Sequence, residues 1–257
     1  MSQSKKNRLD RFISQILFER DPSQPVSKKQ VRLLAAQNRI FVDGEPAKST
    51  SQPIDFFSRI ELDGDVLQNN RPLYLMLHKP VGVVTATTHA KHKTVIDLID
   101  HPDKAQLHYA GRLDLNTSGL LLLTNDGDWS TALTQPDKSV EKCYEVELAR
   151  PVTEEYVRAF EQGIWFDYEG ITTRPARLEI LDAHHARVWL TEGRYHQVKR
   201  MFGHFRNEVV KLHRSSLGSL KLDPVLQQGQ WRELTLEELL ALKEEGAAFS
   251  GSVNPVL

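Results

Sequence analysis

The chain has 257 residues, of which 40% are hydrophobic and 26% are charged, and its formal net charge is −1. This composition is ordinary for a soluble globular protein with a substantial core. It contains no apolar run near the ~18 residues that a membrane span needs, and its single cysteine excludes an internal disulfide. The first ten residues lack the apolar stretch of a signal peptide, so we expect a cytoplasmic protein.

Positive charge is concentrated at the front of the chain. Residues 1–48 carry ten lysines and arginines against five acids, a net charge of +5 that the remaining residues offset with −6. A basic segment on a mildly acidic body is typical of a nucleic-acid-binding module joined to a second domain. On charge alone, a solvated helix face explains the same pattern equally well.

Two helices and a small sheet are predicted near the front of the chain. Apolar side chains recur at helical spacing over residues 9–17. A second helix begins at Ser27, whose spacing to Gln30 fits a capping box. Two β-like runs that each end at an Asp-Gly turn follow, at residues 39–42 and 58–62. We predict a small domain at residues 1–64 and a linker at residues 65–72.

From residue 73 onward, strands and helices are interspersed without a regular repeat. The predicted strands are short runs of β-forming residues, at residues 73–77, 82–86, 119–124, 144–148, 176–181 and 186–190. The predicted helices lie at residues 95–99, 154–162, 195–205 and 236–245. The last helix has a capping box formed by Thr235 and Glu238, with Gly246 beyond its end. Many strands without a βαβ rhythm indicate an α+β fold, which we assign to a domain at residues 73–250.

The first stretch that could carry chemistry is GRLDLNTSG at residues 111–119, which leads into an apolar run. Asp114 lies in this glycine-bounded loop, close to Arg112 and directly before a predicted buried strand. A carboxylate on such a rigid base suits a catalytic nucleophile or base. A lone aspartate in a loop is far more often a cap or a turn residue.

The second stretch is EKCY at residues 141–144, which opens a predicted strand. Tyr144 could stack on a nucleobase or transfer a proton through its hydroxyl. Taken alone, a tyrosine on a strand is usually a packing residue. Cys143 alternates with Tyr144 along the strand, so we predict that its side chain packs on the opposite face.

The third stretch is EGRYHQVKRMF at residues 192–202. Its apolar residues give a helix an inward face, while Arg194, Lys199 and Arg200 place positive charge at and near the helix start. A helix start of this kind favours a bound phosphate or carboxylate. A basic, solvent-exposed helix is the simpler interpretation of the same residues.

Together and in this order, the three stretches resemble the pseudouridine synthase superfamily, specifically its small-subunit ribosomal RNA branch, the RsuA family. The segment LHKPVG at residues 77–82 matches that family's LNKP-x-G segment, with histidine where asparagine is usual. The front module resembles an S4 RNA-binding domain through RLDRF at residues 8–12 and RIFVDG at residues 39–44. The resemblance covers nearly the whole chain.

The resemblance implies an enzyme that isomerises a uridine of 16S ribosomal RNA to pseudouridine, at the position conventionally numbered 516. It implies a catalytic domain with a mostly antiparallel mixed sheet and flanking helices. Asp114 would be the essential carboxylate, Lys199 the cation that keeps it ionised, and Tyr144 the residue that stacks on the base. The target must leave its stack before a closed pocket can hold it. The expected RNA-binding residues are Arg112, Arg194, Arg200, Arg8, Arg11, Lys28, Lys29 and Arg32.

No cofactor or metal is expected. The reaction needs none, and the chain contains no HExxH, CxxC, Walker A or GxGxxG motif. The expected partner is 16S ribosomal RNA, either free or in a partly assembled pre-30S particle, and a monomer is expected because no exposed apolar run is evident.

Two alternatives to this function stay open. A non-catalytic scaffold that grips ribosomal RNA would not need the aspartate, tyrosine and lysine together. An enzyme of the same fold could act on large-subunit 23S RNA, although the sequence HQVKRM at residues 196–201 is closer to that of the small-subunit branch.

Overall fold

The computed structural model describes residues 6–245, which form two compact units: the first contains residues 6–72 and Asp126–Asp128, and the second contains the other residues from Leu73 onward. The predicted domains 1–64 and 73–250 include residues 1–5 and 246–250, and these lie outside the described residues, as does the predicted helix-ending Gly246. Within the described range, no helix is both long enough and apolar enough to cross a membrane.

Over residues 6–72, the first unit is built from two helices and six short strands. In chain order these are β1 (Asn7–Arg8), α1 (Leu9–Arg20), α2 (Lys28–Ala36), β2 (Ile40–Val42), β3 (Glu45–Pro46), β4 (Pro53–Ile54), β5 (Ile60–Leu62) and β6 (Asp65–Gln68). The antiparallel sheet has the order β3-β2-β5-β6, and β1 pairs with β4. Leu9 and Ile13 of α1 pack with Val31 of α2 and with Ile40 and Ile60 of the sheet in one core. The predicted capping box at the start of α2 is confirmed.

The predicted linker at residues 65–72 is wrong for its first half. Asp65–Gln68 form β6, which pairs with β5. The amide of Gln68 donates to the carbonyl oxygens of Asp55 at 2.8 Å and Ser58 at 2.7 Å. The polar composition of this segment is typical of a linker, but Gln68 uses its polar side chain to hold a neighbouring loop through hydrogen bonds. Composition alone does not reveal these bonds.

Over residues 73–245, the second unit is built around one large sheet. Its elements are β7 (Tyr74–Lys79), β8 (His108–Ala110), β9 (Ser118–Thr124), α3 (Gly127–Thr134), β10 (Lys142–Leu148), α4 (Glu154–Gln162), β11 (Trp165–Phe166), β12 (Ile171–Thr172), β13 (Arg177–Ile180), β14 (His185–Leu190), α5 (Gln197–Gly203), β15 (Val209–Leu217), β16 (Leu220–Lys221), β17 (Trp231–Glu233) and α6 (Leu236–Glu244). Short 3₁₀ turns lie at Ile96–Leu98, Lys104–Gln106 and Pro136–Lys138.

The sheet has the order β13-β14-β10-β15-β9-β7-β17, with β8 paired to β9 and β16 paired to β15. Its strand pairs are antiparallel except for β9 and β15, which run parallel. The predicted α+β class with a mostly antiparallel mixed sheet is confirmed. Residues 82–86, predicted as a strand, make only an isolated bridge between Val84 and Thr94.

Strand β9 is buried along its whole length because packed layers cover both of its faces. Leu120 and Leu122 lie in a core with Trp129 of α3. Leu121 and Leu123 lie in a second core on the other face. Each fully buried leucine contributes roughly 1.5–3 kcal/mol, so β9 is a stable base for the loop that precedes it.

Gly119 lies where the two parallel strands meet. It is the register partner of Arg214 on β15, and its backbone has a φ of +113°. A Cβ atom at this position would lie 2.2 Å from the carbonyl oxygen of Arg214. Only glycine allows this close approach, which fixes the start of β9 against β15.

Replacing this glycine tests the close approach. We expect Gly119→Ala to lower the free energy of unfolding by about 3 kcal/mol or more, because backbone strain of ~1–3 kcal/mol adds to a backbone collision. Gly203→Ala is the control, since an added Cβ there meets nothing within 4 Å. Urea unfolding of both variants provides the measurement, and an unchanged midpoint for Gly119→Ala would contradict the described pairing.

Candidate active site

A cavity of about 600 Å³ in the second unit is lined by residues from all three motif stretches. Asp114 and Arg112 come from the loop before β9, Tyr144 comes from β10, and Arg194 and His196 come from the loop before α5. The fold therefore brings together side chains that lie far apart along the chain.

Two side chains approach the Asp114 carboxylate. Its Oδ1 lies 3.5 Å from Nε2 of His196, and its Oδ2 lies 3.8 Å from Nζ of Lys199. Lys199 provides a full positive charge, which stabilises negative charge on the carboxylate. His196 was not among the predicted site residues, although its spacing of three from Lys199 is the signal that could have indicated it.

The backbone of the Asp114 loop is held by the buried side chain of Lys79. Its ammonium group donates to the carbonyl oxygens of Pro80 at 2.9 Å, Asp114 at 3.0 Å and Thr117 at 2.8 Å. Burial lowers the pKa of Lys79 to about 8, and the nearby Asp114 carboxylate opposes this shift. Lys79 belongs to the LHKPVG segment, and the structure identifies its local task as positioning the loop.

Further hydrogen bonds fix the same loop from other sides. The hydroxyl of Thr85 donates to the carbonyl oxygen of Leu113 at 2.6 Å and accepts from the backbone N–H of Leu113 at 3.2 Å. The N–H of Gly82 donates to the carbonyl oxygen of Leu115 at 2.9 Å. Hydrogen bonds therefore hold the loop backbone on both sides of Asp114.

The loop before α5 is organised around the buried carboxylate of Glu192. It accepts from the backbone N–H of Arg174 at 2.9 Å, from Nε of Arg194 at 3.0 Å and from the amide of Gln197 at 2.6 Å. Arg194 thus lines the cavity in an ion pair with Glu192, and its side chain remains partly exposed.

Two other predicted RNA-binding arginines of this unit differ in their placement. Arg112 is exposed at the cavity and donates to the hydroxyl of Tyr109 at 2.9 Å. Arg200 forms a bidentate ion pair with Glu169 and lies 3.7 Å from the centre of the Phe166 ring. Arg200 is not among the residues that line the cavity, so the structure does not bring it to Asp114.

The remaining predicted RNA-binding residues belong to the first unit. Arg8 forms a bidentate ion pair with Asp10, with contacts of 2.7 and 3.1 Å. The other four are exposed to solvent; they are Arg11, Lys28, Lys29 and Arg32.

Besides His196, two basic cavity residues were missed by the sequence interpretation. Arg214 of β15 is buried and lines the cavity. Lys142 of β10 also lines it and donates to the carbonyl oxygen of Val140 at 2.7 Å. Burial lowers the pKa of Lys142 to about 8, and the charge of Arg214 contributes to the shift.

Cys143 is buried, whereas Tyr144 beside it lines the cavity. Across residues 6–245, no three histidine, cysteine or acidic side chains are grouped to hold a metal ion.

Asp114, with Lys199 beside its carboxylate, and Tyr144 meet at one cavity of a mixed-sheet α+β domain. A family model described as RNA pseudouridylate synthase matches residues 73–204. The chain belongs to this family and is an RNA pseudouridine synthase, as the three sequence stretches predict.

Similar proteins cover nearly the whole chain. It is 45% identical over 236 residues to "Ribosomal small subunit pseudouridine synthase A" of Pseudomonas aeruginosa, an alignment that covers 91% of this chain and 100% of the relative. The Escherichia coli (strain K12) protein of the same name is 40% identical, with coverage of 91% and 99%. A crystal structure described as a pseudouridylate synthase matches with a TM-score of 0.66 at 39% identity, with coverage of 91% and 99%.

Replacing Lys79 tests the loop anchor through the pH dependence of stability. The folded-state pKa of Lys79 is about 8, against an ordinary value of 10.5. Between these values the unfolded chain binds more protons than the folded chain, so the free energy of unfolding rises with pH. Lys79→Met cannot titrate, and we expect a slope between pH 8 and pH 10 that is flatter by up to about 1.4 kcal/mol per pH unit.

Urea unfolding at pH 8, 9 and 10 measures this slope. Lys221→Met is the control, because it removes an exposed lysine from β16, and its slope should match that of the parent protein. An unchanged slope for Lys79→Met would show that Lys79 is not the titrating buried amine.

Proposed function

We propose that this chain converts one uridine of 16S ribosomal RNA to pseudouridine, at the position conventionally numbered 516, with Asp114 as the essential carboxylate. The observation that carries the proposal is the position of Asp114, held in a cavity wall by Lys79 and flanked by Lys199 and His196. The similar proteins named for the small ribosomal subunit, aligned over almost their full length, support the choice of RNA.

The reaction requires a carboxylate at the sugar and a surface for the base. The C1′–N1 bond of the uridine breaks, the uracil turns within the cavity, and a C1′–C5 bond forms. Asp114 attacks C1′ or C6, or removes the C2′ proton, while Lys199 stabilises its charge before the reaction. Tyr144 stacks on the base. The proton of C5 leaves and a proton is taken up at N1, so the reaction is an isomerisation without a cofactor.

The cavity fits a nucleotide that has left its stack. Its volume of about 600 Å³ lies within the range of small-ligand pockets. A flipped nucleotide has to be held against the energy of unstacking. We assign Arg112, exposed at the cavity, to this task through the nucleotide or its phosphate, and Arg194 to a neighbouring phosphate.

The first unit is assigned to RNA binding as an S4-like domain. Lys28, Lys29 and Arg32 lie at the start and middle of α2, exposed to solvent, and Arg11 is exposed on α1. Exposed cations of this kind neutralise backbone phosphates and supply affinity without reading sequence. The proposed substrate is 16S RNA within an assembling small-subunit particle, and the enzyme acts there as a cytoplasmic monomer.

The first experiment maps pseudouridine in 16S and 23S ribosomal RNA from cells that lack the protein. We expect one 16S site to be lost and to return with the wild-type chain but not with Asp114→Asn. The amide keeps the shape of the carboxylate and removes its charge. Because phosphate contacts supply most of the affinity, RNA binding by the purified variant should stay within a few-fold of wild type.

Each other result of the mapping changes the proposal in a defined way. A lost 23S site would move the substrate to the large subunit and leave the chemistry intact. Rescue by Asp114→Asn would remove Asp114 from catalysis. No lost site in either RNA would favour a binding role of the chain on ribosomal RNA.

A second experiment tests the first unit as the RNA anchor. The triple variant Lys28→Ala, Lys29→Ala, Arg32→Ala should weaken RNA binding and lower the slope of log affinity against log salt, because each lost phosphate contact removes about 0.7–0.9 from that slope. The matched control changes three exposed cations of the second unit that do not line the cavity, Lys138, Arg158 and Lys221. Equal effects of the two triple variants would contradict a specific role for α2.

A further inference from the structure

Arg214 is a buried arginine without an acidic partner. It is 2% exposed, and its Nε donates to the carbonyl oxygen of Leu120 at 2.8 Å. Its Nη2 atom is buried and has no hydrogen-bond partner within residues 6–245. No carboxylate in that range forms an ion pair with it. Burying a guanidinium in this way is costly unless a partner offsets the lost hydration.

The strand register fixes where this guanidinium lies. Arg214 is the register partner of Tyr144 on one side and of Gly119 on the other. Directly paired residues present their side chains on the same face of a sheet, so Arg214 and Tyr144 share a face, and both line the cavity with Asp114. The close approach at Gly119 leaves β15 no room to shift.

The charge of the cavity wall favours an anion. Four basic residues and two acidic residues line the cavity. The basic residues are Arg112, Lys142, Arg194 and Arg214, and the acidic residues are Asp114 and Glu192. Arg194 is already paired with Glu192, and Lys199 faces Asp114. Arg214 is the buried member of the set, and it shares its sheet face with the tyrosine assigned to the base. We therefore expect the hydrogen-bond partner of Arg214 to be the base and not a phosphate.

We propose that Arg214 donates hydrogen bonds to a carbonyl oxygen of the target uracil and stabilises the charge that develops as the base detaches. When the C1′–N1 bond breaks, its electron pair stays on N1 and spreads over O2 and O4 of the ring. A fixed donor in a site closed to water stabilises such charge strongly. After C5 bonds to C1′, the C5 proton leaves, N1 is protonated, and the charge that Arg214 faces disappears. This inference rests on the proposed function of the Asp114 cavity.

The test compares two leaving groups in single-turnover reactions. The substrate is a 16S RNA fragment with either uridine or 5-fluorouridine at the target position. The measured event is loss of the C1′–N1 linkage at that position, because 5-fluorouridine has no C5 proton to release in the last step. Fluorine withdraws electrons and stabilises the uracil anion without help from the protein. We expect Arg214→Met to slow reaction of the uridine fragment by about 10²–10³-fold. The loss on the 5-fluorouridine fragment should be at least ten times smaller, and the enzyme concentration that gives half the maximal rate should change little for either fragment.

The controls separate chemistry from folding. Arg187→Met removes an arginine from β14, in the same sheet but away from the cavity wall, and should leave both rates unchanged. Arg214→Lys keeps the charge but has fewer donors, so it should show the same difference between substrates with a smaller loss. This variant decides the result if the methionine variant does not fold, as judged by urea unfolding.

Two results would overturn the inference. Equal losses on both fragments, or a higher half-saturating enzyme concentration without a lower maximal rate, would show a structural or phosphate-binding role for Arg214. Full activity of both Arg214 variants would remove it from the reaction. A wild-type enzyme that modifies neither the fragment nor ribosomal RNA would instead overturn the proposed function, and this inference with it.

Discussion

The three hydrogen bonds of the Lys79 ammonium group are the interaction on which the site depends. A buried ammonium is costly, and here the carbonyl oxygens of Pro80 and of two residues of the Asp114 loop occupy its donors. Lys79 ends β7, which is paired with the fully buried β9. The position of the Asp114 backbone is therefore set by the core of the sheet, and a loop residue gains the rigidity that chemistry requires.

The parallel pairing of β9 with β15 assembles the rest of the cavity. Because β15 lies between β10 and β9, Tyr144, Arg214 and Gly119 become neighbours in one row across the sheet. Gly119 begins the strand that follows the Asp114 loop. The position of β15 between β10 and β9 thus places the Tyr144 ring, the buried Arg214 and the Asp114 loop side by side, and no local sequence pattern indicates that they are neighbours.

The sequence predicted the elements whose side-chain patterns are unambiguous. The leucine run of β9 and the two capping boxes were recognisable because burial on both faces and reciprocal caps leave clear signatures. Strand β15 was not recognised, since Lys211, His213 and Arg214 interrupt its apolar character. The assignment of Arg200 to RNA stays a prediction, and the structure adds its ion pair with Glu169, which the sequence did not indicate. Both features depend on long-range pairing, which a local pattern does not show.

Net charge proves to be a weak guide to the partner of this chain. The total is −1, yet the cavity wall carries more cations than acids, and α2 has three exposed cations. At physiological ionic strength charges are screened beyond about 8 Å, so an RNA phosphate responds to the side chains nearest to it. The acids that balance the total charge lie at a distance and have little influence on that phosphate.

The ion pairing of each cation therefore decides its availability to RNA. Arg8, held by Asp10, is less available to RNA than Lys28 or Arg32.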